Sequence, residues 1–168
     1  MFIGHLPAGY LLTKGLQARF RTARYLALGL VAGVLPDADI PYFYLVDRGR
    51  HLHHGYWIHI PFWWLVAAAV AFAAAALSRK RAYLAVASIF FGNVFLHLLL
   101  DTVVGKIEWL YPYSDRGVSF FEVPATHGWW VCNFVFHWTF LIELAIASVA
   151  AVALVRAAPR LDRSAETL

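Results

Sequence analysis

Three stretches of the chain stay apolar long enough to cross a bilayer: Tyr56–Leu77, Ala82–Leu100 and Trp129–Val155. A hydrocarbon core is about 30 Å thick and an α-helix rises about 1.5 Å per residue, so roughly 20 residues suffice. Two shorter apolar runs, Leu6–Leu16 and Tyr25–Leu35, come first and flank the basic connector "QARFRTAR". The pattern predicts an all-α, polytopic helical membrane protein, with three transmembrane helices and a short N-terminal helical hairpin. The competing arrangement over 1–40 is an amphipathic helix on the cytoplasmic surface. Residues 1–158 read as one membrane-embedded domain and 159–168 as a polar tail.

Composition supports this reading. Hydrophobic residues make up 61% of the chain and charged residues 14%, with a mean hydropathy of +0.62. A soluble domain carries far more charge than that. The net charge is +4, and nine of the 14 basic residues are gathered into Arg19/Arg21/Arg24, Arg79/Lys80/Arg81 and Arg156/Arg160/Arg163. Clusters between apolar runs are a topology signal rather than a nucleic-acid surface, so the expected partner is a lipid bilayer. With all three clusters cytoplasmic, every span alternates without contradiction. The opposite side then holds Asp37, Asp39, Asp47, Asp101, Glu108, Asp115 and Glu122, seven of the ten acidic residues. This predicts a bacterial-type inner membrane protein whose polar surface is periplasmic.

Three further features narrow the chemistry. The single cysteine, Cys132, excludes a disulfide framework and a cysteine-based zinc site. The start "MFIGHLPAGYLLTKG" lacks a basic leader and a small-x-small cleavage site, so no cleavable signal peptide is expected. Trp57, Trp63, Trp64, Trp129 and Trp130 read as interfacial anchors.

The histidines and carboxylates supply the candidate chemistry. Asn93, His97 and Asp101 recur every fourth residue and share one helical face, so "HLLLD" sets an imidazole and a carboxylate one turn apart. Such a pair can bind a divalent metal, although HxxxD by itself also fits a buried histidine and a helix-capping acid. "LPDAD" places Asp37 and Asp39 just past an apolar helix ended by Pro36, where they could chelate a metal or simply form a solvated turn. In "HLHHGYWIH", His51, His53, His54 and His59 crowd beside this acidic loop. In a hairpin turning at Arg21, His5 and Asp37 stand equally far along the chain from the turn and reach the same depth.

Convergence outweighs each piece. Ionisable groups in or near spans are costly and mark functional sites. The predicted metal ligands are His5, Asp37, Asp39, His54, His59, His97 and Asp101, holding one or two divalent ions, zinc first, with manganese or magnesium as alternatives. His53 and Asp39 are the candidates for proton transfer. Asn133 and His137 share a face of the last span and either line the same cavity or tie helices together. Glu143 reads as structural, and His127 as an interfacial loop residue.

In order, "GHLPAGY", "LPDADIPY", "HHGYWIHIP" and "HLLLDTVVGKIEWLYPY" resemble the motifs of the YdjM-like membrane-bound metal-dependent hydrolases, over roughly residues 4–113. The middle motif often reads HRGxTHS in that family. Here His54 and His59 keep its spacing, while Gly55 and Ile58 replace the common Arg and Thr. The resemblance implies metal binding and, more loosely, hydrolysis. A site at headgroup level points to a lipid or lipid-linked ester or phosphoester. The alternatives are a non-catalytic metal-binding membrane protein with a structural or sensing role, and a metal transporter. Transport calls for ligands continuing to the cytoplasmic face, and beyond Asn93 and Glu143 the sequence has few there.

Overall fold

The computed structural model describes residues 3–157; the tail expected at 159–168 lies outside them. Helix α1 runs His5–Phe20 and α2 runs Leu26–Val34. The chain stays helical through a 3-10 turn at Leu35–Asp39, a short α3 at Ile40–Tyr42 and a π-turn at Phe43–Asp47. Two further 3-10 turns, His53–Gly55 and Trp57–His59, lead into α4 (Pro61–Ser78). Then follow α5 (Arg81–Asp101), α6 (Trp130–Val135) and α7 (Phe140–Ala157).

The N-terminal hairpin forms, and Arg21 and Tyr25 in its turn take left-handed backbone conformations. Gln17 holds that turn, its side-chain amide donating to the carbonyls of Ala23 and Arg24. Small residues let α1 and α2 approach closely, as in membrane helix pairs that lack a hydrophobic driving force. A Cβ built on Gly29 would lie 2.0 Å from Thr13 Oγ1, and one on Gly33 would lie 3.7 Å from the Gly9 Cα. Helix α5 packs against α1, α2 and α4, and α1 also touches α7. Ala32, Val94 and Leu98 form the core between α2 and α5. Asn93 joins α5 to α1 by donating to Thr13 Oγ1 at 3.0 Å, and also bonds the Ile89 carbonyl in its own helix.

Among the described residues, four helical segments are long and apolar enough to span: Leu26–Asp47, Pro61–Ser78, Arg81–Asp101 and Phe140–Ala157. Side chains such as Val70, Leu77, Leu154 and Val155 point outward, which suits lipid rather than water. Two of the predicted spans change. The span expected from Tyr56 begins at Pro61, because a proline without an N–H is suited to the first turn of a helix and restrains the residue before it. The span expected over Trp129–Val155 breaks between Val135 and Phe140, where His137 Nδ1 bonds Thr139 Oγ1 at 2.8 Å. The continuous helical run Leu26–Asp47 is longer than the predicted hairpin arm, since Pro36 sits inside a 3-10 turn and does not end the run.

Helix α7 is tied to the other end of the chain. Glu143 Oε2 accepts hydrogen bonds from the backbone N–H groups of Ile3 and Gly4, the latter at 3.0 Å. A carboxylate at the start of α1 meets orphan donors and the positive end of the helix dipole. Glu143 is thus a structural clamp within the bundle.

Candidate metal centre

The site lies where α1, α5 and the two irregular segments meet. His97 and Asp101 come from the last turns of α5, His5 from the first turn of α1, Asp37 and Asp39 from the 3-10 turn after α2, and His53, His54 and His59 from the turns before α4. One ligand atom from each of Asp37, His59, His97 and Asp101 falls within 4.8 Å of the others. His59, His97 and Asp101 are almost fully buried, and Asp37 is partly open.

The hydrogen bonds assign the ring tautomers. His97 Nδ1 lies 2.8 Å from the Gly33 carbonyl, which can only accept, so Nδ1 carries the proton. In the neutral ring, Nε2 then presents a lone pair toward Asp101 Oδ2 at 3.0 Å and Asp37 Oδ1 at 3.7 Å. His59 repeats the arrangement. Its Nδ1 meets Asp39 Oδ2 at 3.1 Å, and its Nε2 faces Asp37 Oδ1 at 3.7 Å and Asp101 Oδ2 at 3.8 Å. Nε2 of both rings is buried without a hydrogen bond. With both rings neutral, the two Nε2 lone pairs and the two carboxylates turned toward one another repel unless a proton or a metal cation lies among them. With nitrogen and oxygen donors, and each imidazole held through its opposite nitrogen, the residues fit a divalent metal.

Charge agrees with geometry at His59. Burial disfavours its charged form, but the Asp37 and Asp39 carboxylates, with Asp101 beyond, outweigh burial and push its pKa up to about 9. A proton is thus drawn to the place a metal cation would take. At His54 burial wins over Asp101, and the pKa falls below its usual value.

The remaining predicted residues surround this group. His5 Nε2 donates to Asp101 Oδ1 at 3.1 Å, and its ring stacks on His97 with centroids 3.8 Å apart. Asp39 reaches the back of His59 and stands 3.4 Å from His53 Nδ1. His53 Nε2 lies 3.3 Å from Asp37 Oδ1. His54 Nε2 lies 3.5 Å from Asp101 Oδ2. His53, His54 and His59 form a second close group of donors that shares His59 with the first.

A known family model, described as the YdjM inner membrane protein, matches residues 1–161. The chain belongs to the YdjM inner membrane protein family. No curated protein and no solved structure matches it. The family match takes in the last helix, which the motif resemblance did not.

In this YdjM-family protein several polar residues stand apart from the donor group. His51 pairs with Asp47, its Nδ1 2.6 Å from Oδ1, and is exposed. Asn93 is on the His97 face but serves the α1 contact. Asn133 bonds the backbone of His127, accepting from its N–H at 2.7 Å and donating to its carbonyl.

Two glycines matter to the site and carried little sequence signal. The Gly33 carbonyl sets the His97 tautomer. A Cβ on Gly105 would meet the His54 ring at 2.5 Å, so only glycine there lets the ring lie against the backbone after α5. Gly105 extends the four-residue rhythm of His97 and Asp101, a regularity that could have pointed to it. Beside the donors opens a cavity of about 1060 Å³ whose wall includes Asp37, His53 and His54.

Proposed function

We propose that this protein is a membrane-bound metal-dependent hydrolase with its site on the periplasmic side, acting on a lipid or lipid-linked ester or phosphoester. The observation that carries the reading is the pair of buried Nε2 atoms of His59 and His97 aimed at Asp37 and Asp101 beside an open cavity. Asp37, His59, His97 and Asp101 would hold the ion; zinc suits these donors, with manganese or magnesium as alternatives. A metal bound there supplies Lewis acidity and lowers the pKa of water toward about 7. Asp39 fixes the proton on His59 Nδ1, as the Gly33 carbonyl does on His97 Nδ1, so both rings present Nε2. His5 holds one oxygen of Asp101 and leaves the other to the site. His53 touches both Asp37 and Asp39 and lines the cavity, which would let it carry a proton between those carboxylates and a substrate. His54, also on the cavity wall, is the further donor available to a second ion.

A second reading, a structural or sensing metal site, is favoured by the count of donors. Four protein ligands complete a tetrahedral zinc, whereas catalytic zinc keeps a position open. Against it stands the partial exposure of Asp37 and its place on the cavity wall.

The test is metal analysis of the purified protein and of His97→Ala and Asp101→Ala, with a phosphoesterase and lipase panel on the wild type. Metal loss in both variants together with wild-type turnover is the expected result. Unchanged metal content in both removes the centre. Metal loss without turnover selects the structural or sensing reading. Reporter fusions at Arg81 and Asp115 test the orientation; both on one side would break it.

A further inference from the structure

The cavity beside the donor group is too large and too apolar for a small polar substrate. Its volume of about 1060 Å³ meets the upper end of small-ligand pockets, about 1000 Å³. Its wall combines Asp37, His53 and His54 with the apolar Phe43, Leu52, Trp130 and Phe134, and Phe43 meets the His53 ring edge-on at 5.6 Å. Two cations complete it. Arg48 caps the π-turn in a left-handed conformation, and Lys106 directly follows Gly105. Lys106 pairs with Glu122 at 3.4 Å, but both side chains are exposed, and such a pair is weak enough to exchange for a better anion. Both cations stand close after apolar segments, Arg48 directly after Leu26–Asp47 and Lys106 soon after the end of α5. That is the level at which lipid phosphates lie.

We propose that this cavity is a binding site for an anionic lipid. Arg48 and Lys106 receive a phosphate-bearing headgroup beside His53 and His54, and an acyl chain lies along Phe43, Leu52, Trp130 and Phe134. The pairing of two cations with aromatic walls selects this occupant. A free phosphate ion would leave the apolar wall uncovered, and a neutral lipid would leave the cations unused. The inference names the substrate class of the proposed hydrolase and rests on that reading for turnover alone; binding is independent of it.

The experiment uses the full chain in phosphatidylcholine nanodiscs containing a small fraction of phosphatidic acid brominated in its acyl chains. The readout is quenching of the tryptophan fluorescence that Trp130→Phe removes. Brominated phosphatidylcholine at equal fraction is the control, and each titration is run with zinc and with chelator. Brominated phosphatidic acid is expected to half-quench Trp130 at about a tenfold lower mole fraction than the control. Arg48→Gln and Lys106→Gln should each erode that preference severalfold, and the double variant should abolish it. Both positions are solvent-facing, so the variants keep the fold. Equal quenching by the two lipids overturns the inference, as does a preference that survives in the double variant. Displacement by inorganic phosphate as readily as by unlabelled phosphatidic acid also overturns it, because the site would then read the anion alone. Lipid preference without turnover upholds the site and removes the hydrolase reading. Zinc-dependent cleavage of a water-soluble phosphoester without lipid preference removes the site and keeps the hydrolase.

Discussion

Asp39→Ala separates a residue that orients a ligand from one that is a ligand. Asp39 Oδ2 accepts the proton of His59 Nδ1 at 3.1 Å, and its Oδ1 stands 3.4 Å from His53 Nδ1. Without the carboxylate, the buried His59 loses the bond that fixes its tautomer and raises the basicity of Nε2. Removing such a partner typically lowers metal affinity 10–100-fold, or about 1.4–2.8 kcal/mol. The donors Asp37, His59, His97 and Asp101 all persist, so binding should weaken without vanishing. Zinc affinity is measured by competition with a chromophoric chelator on the full chain in nanodiscs, beside Asp101→Ala and Asp39→Asn. Asparagine keeps an acceptor oxygen of similar shape and should fall between wild type and alanine. An Asp39→Ala affinity within about threefold of wild type would refute the orienting role, since it would lie outside that range. A loss as complete as in Asp101→Ala would make Asp39 a direct ligand and overturn the donor set assigned here.

Three further outcomes follow from the same packing. Gly29→Ala places a methyl 2.0 Å from Thr13 Oγ1, so the α1/α2 contact should weaken by about 1–3 kcal/mol; thermal unfolding in detergent reads this, and adding Thr13→Ala should restore part of the loss. Glu143→Ala leaves the N–H groups of Ile3 and Gly4 without their carboxylate and should cost about 1 kcal/mol by the same assay, with Glu143→Gln falling between; no change would show that α7 does not clamp α1. His59, raised from 6.5 to about 9, stabilises the metal-free fold most below pH 6.5 and loses that contribution as pH rises through 9. Zinc must displace the same proton, so its affinity should climb about tenfold per pH unit toward 9; an affinity flat over that range would refute the assignment.

Much of the architecture could be read from the chain because lipid leaves little choice. Apolar runs of bilayer length must be helices, since no water is present to satisfy a backbone bonded in any other way. Basic clusters between those runs then suggest an orientation. The pairing of His97 with Asp101 followed from four-residue spacing, and the common depth of His5 and Asp37 followed from their equal distance to the hairpin turn. Boundaries were less legible. Pro36 looks like a helix end and lies within a 3-10 turn, while the apolar run after Trp129 gives no sign of the break before Phe140.

Residue types and spacing by themselves therefore determined the helices, the membrane and the pool of donors. Which donors share one point was decided only by the packing of α1 and α2 on α5. Small residues at Gly9, Gly29 and Gly33 bring the helices close enough for the Gly33 carbonyl to reach His97. The folded arrangement set Asp39 behind His59, whereas His51 is held on Asp47 by a local contact four residues away. Helical spacing predicts neighbours along one element. Contacts between elements depend on crossing angle and side-chain volume, and those exist only once the helices have packed.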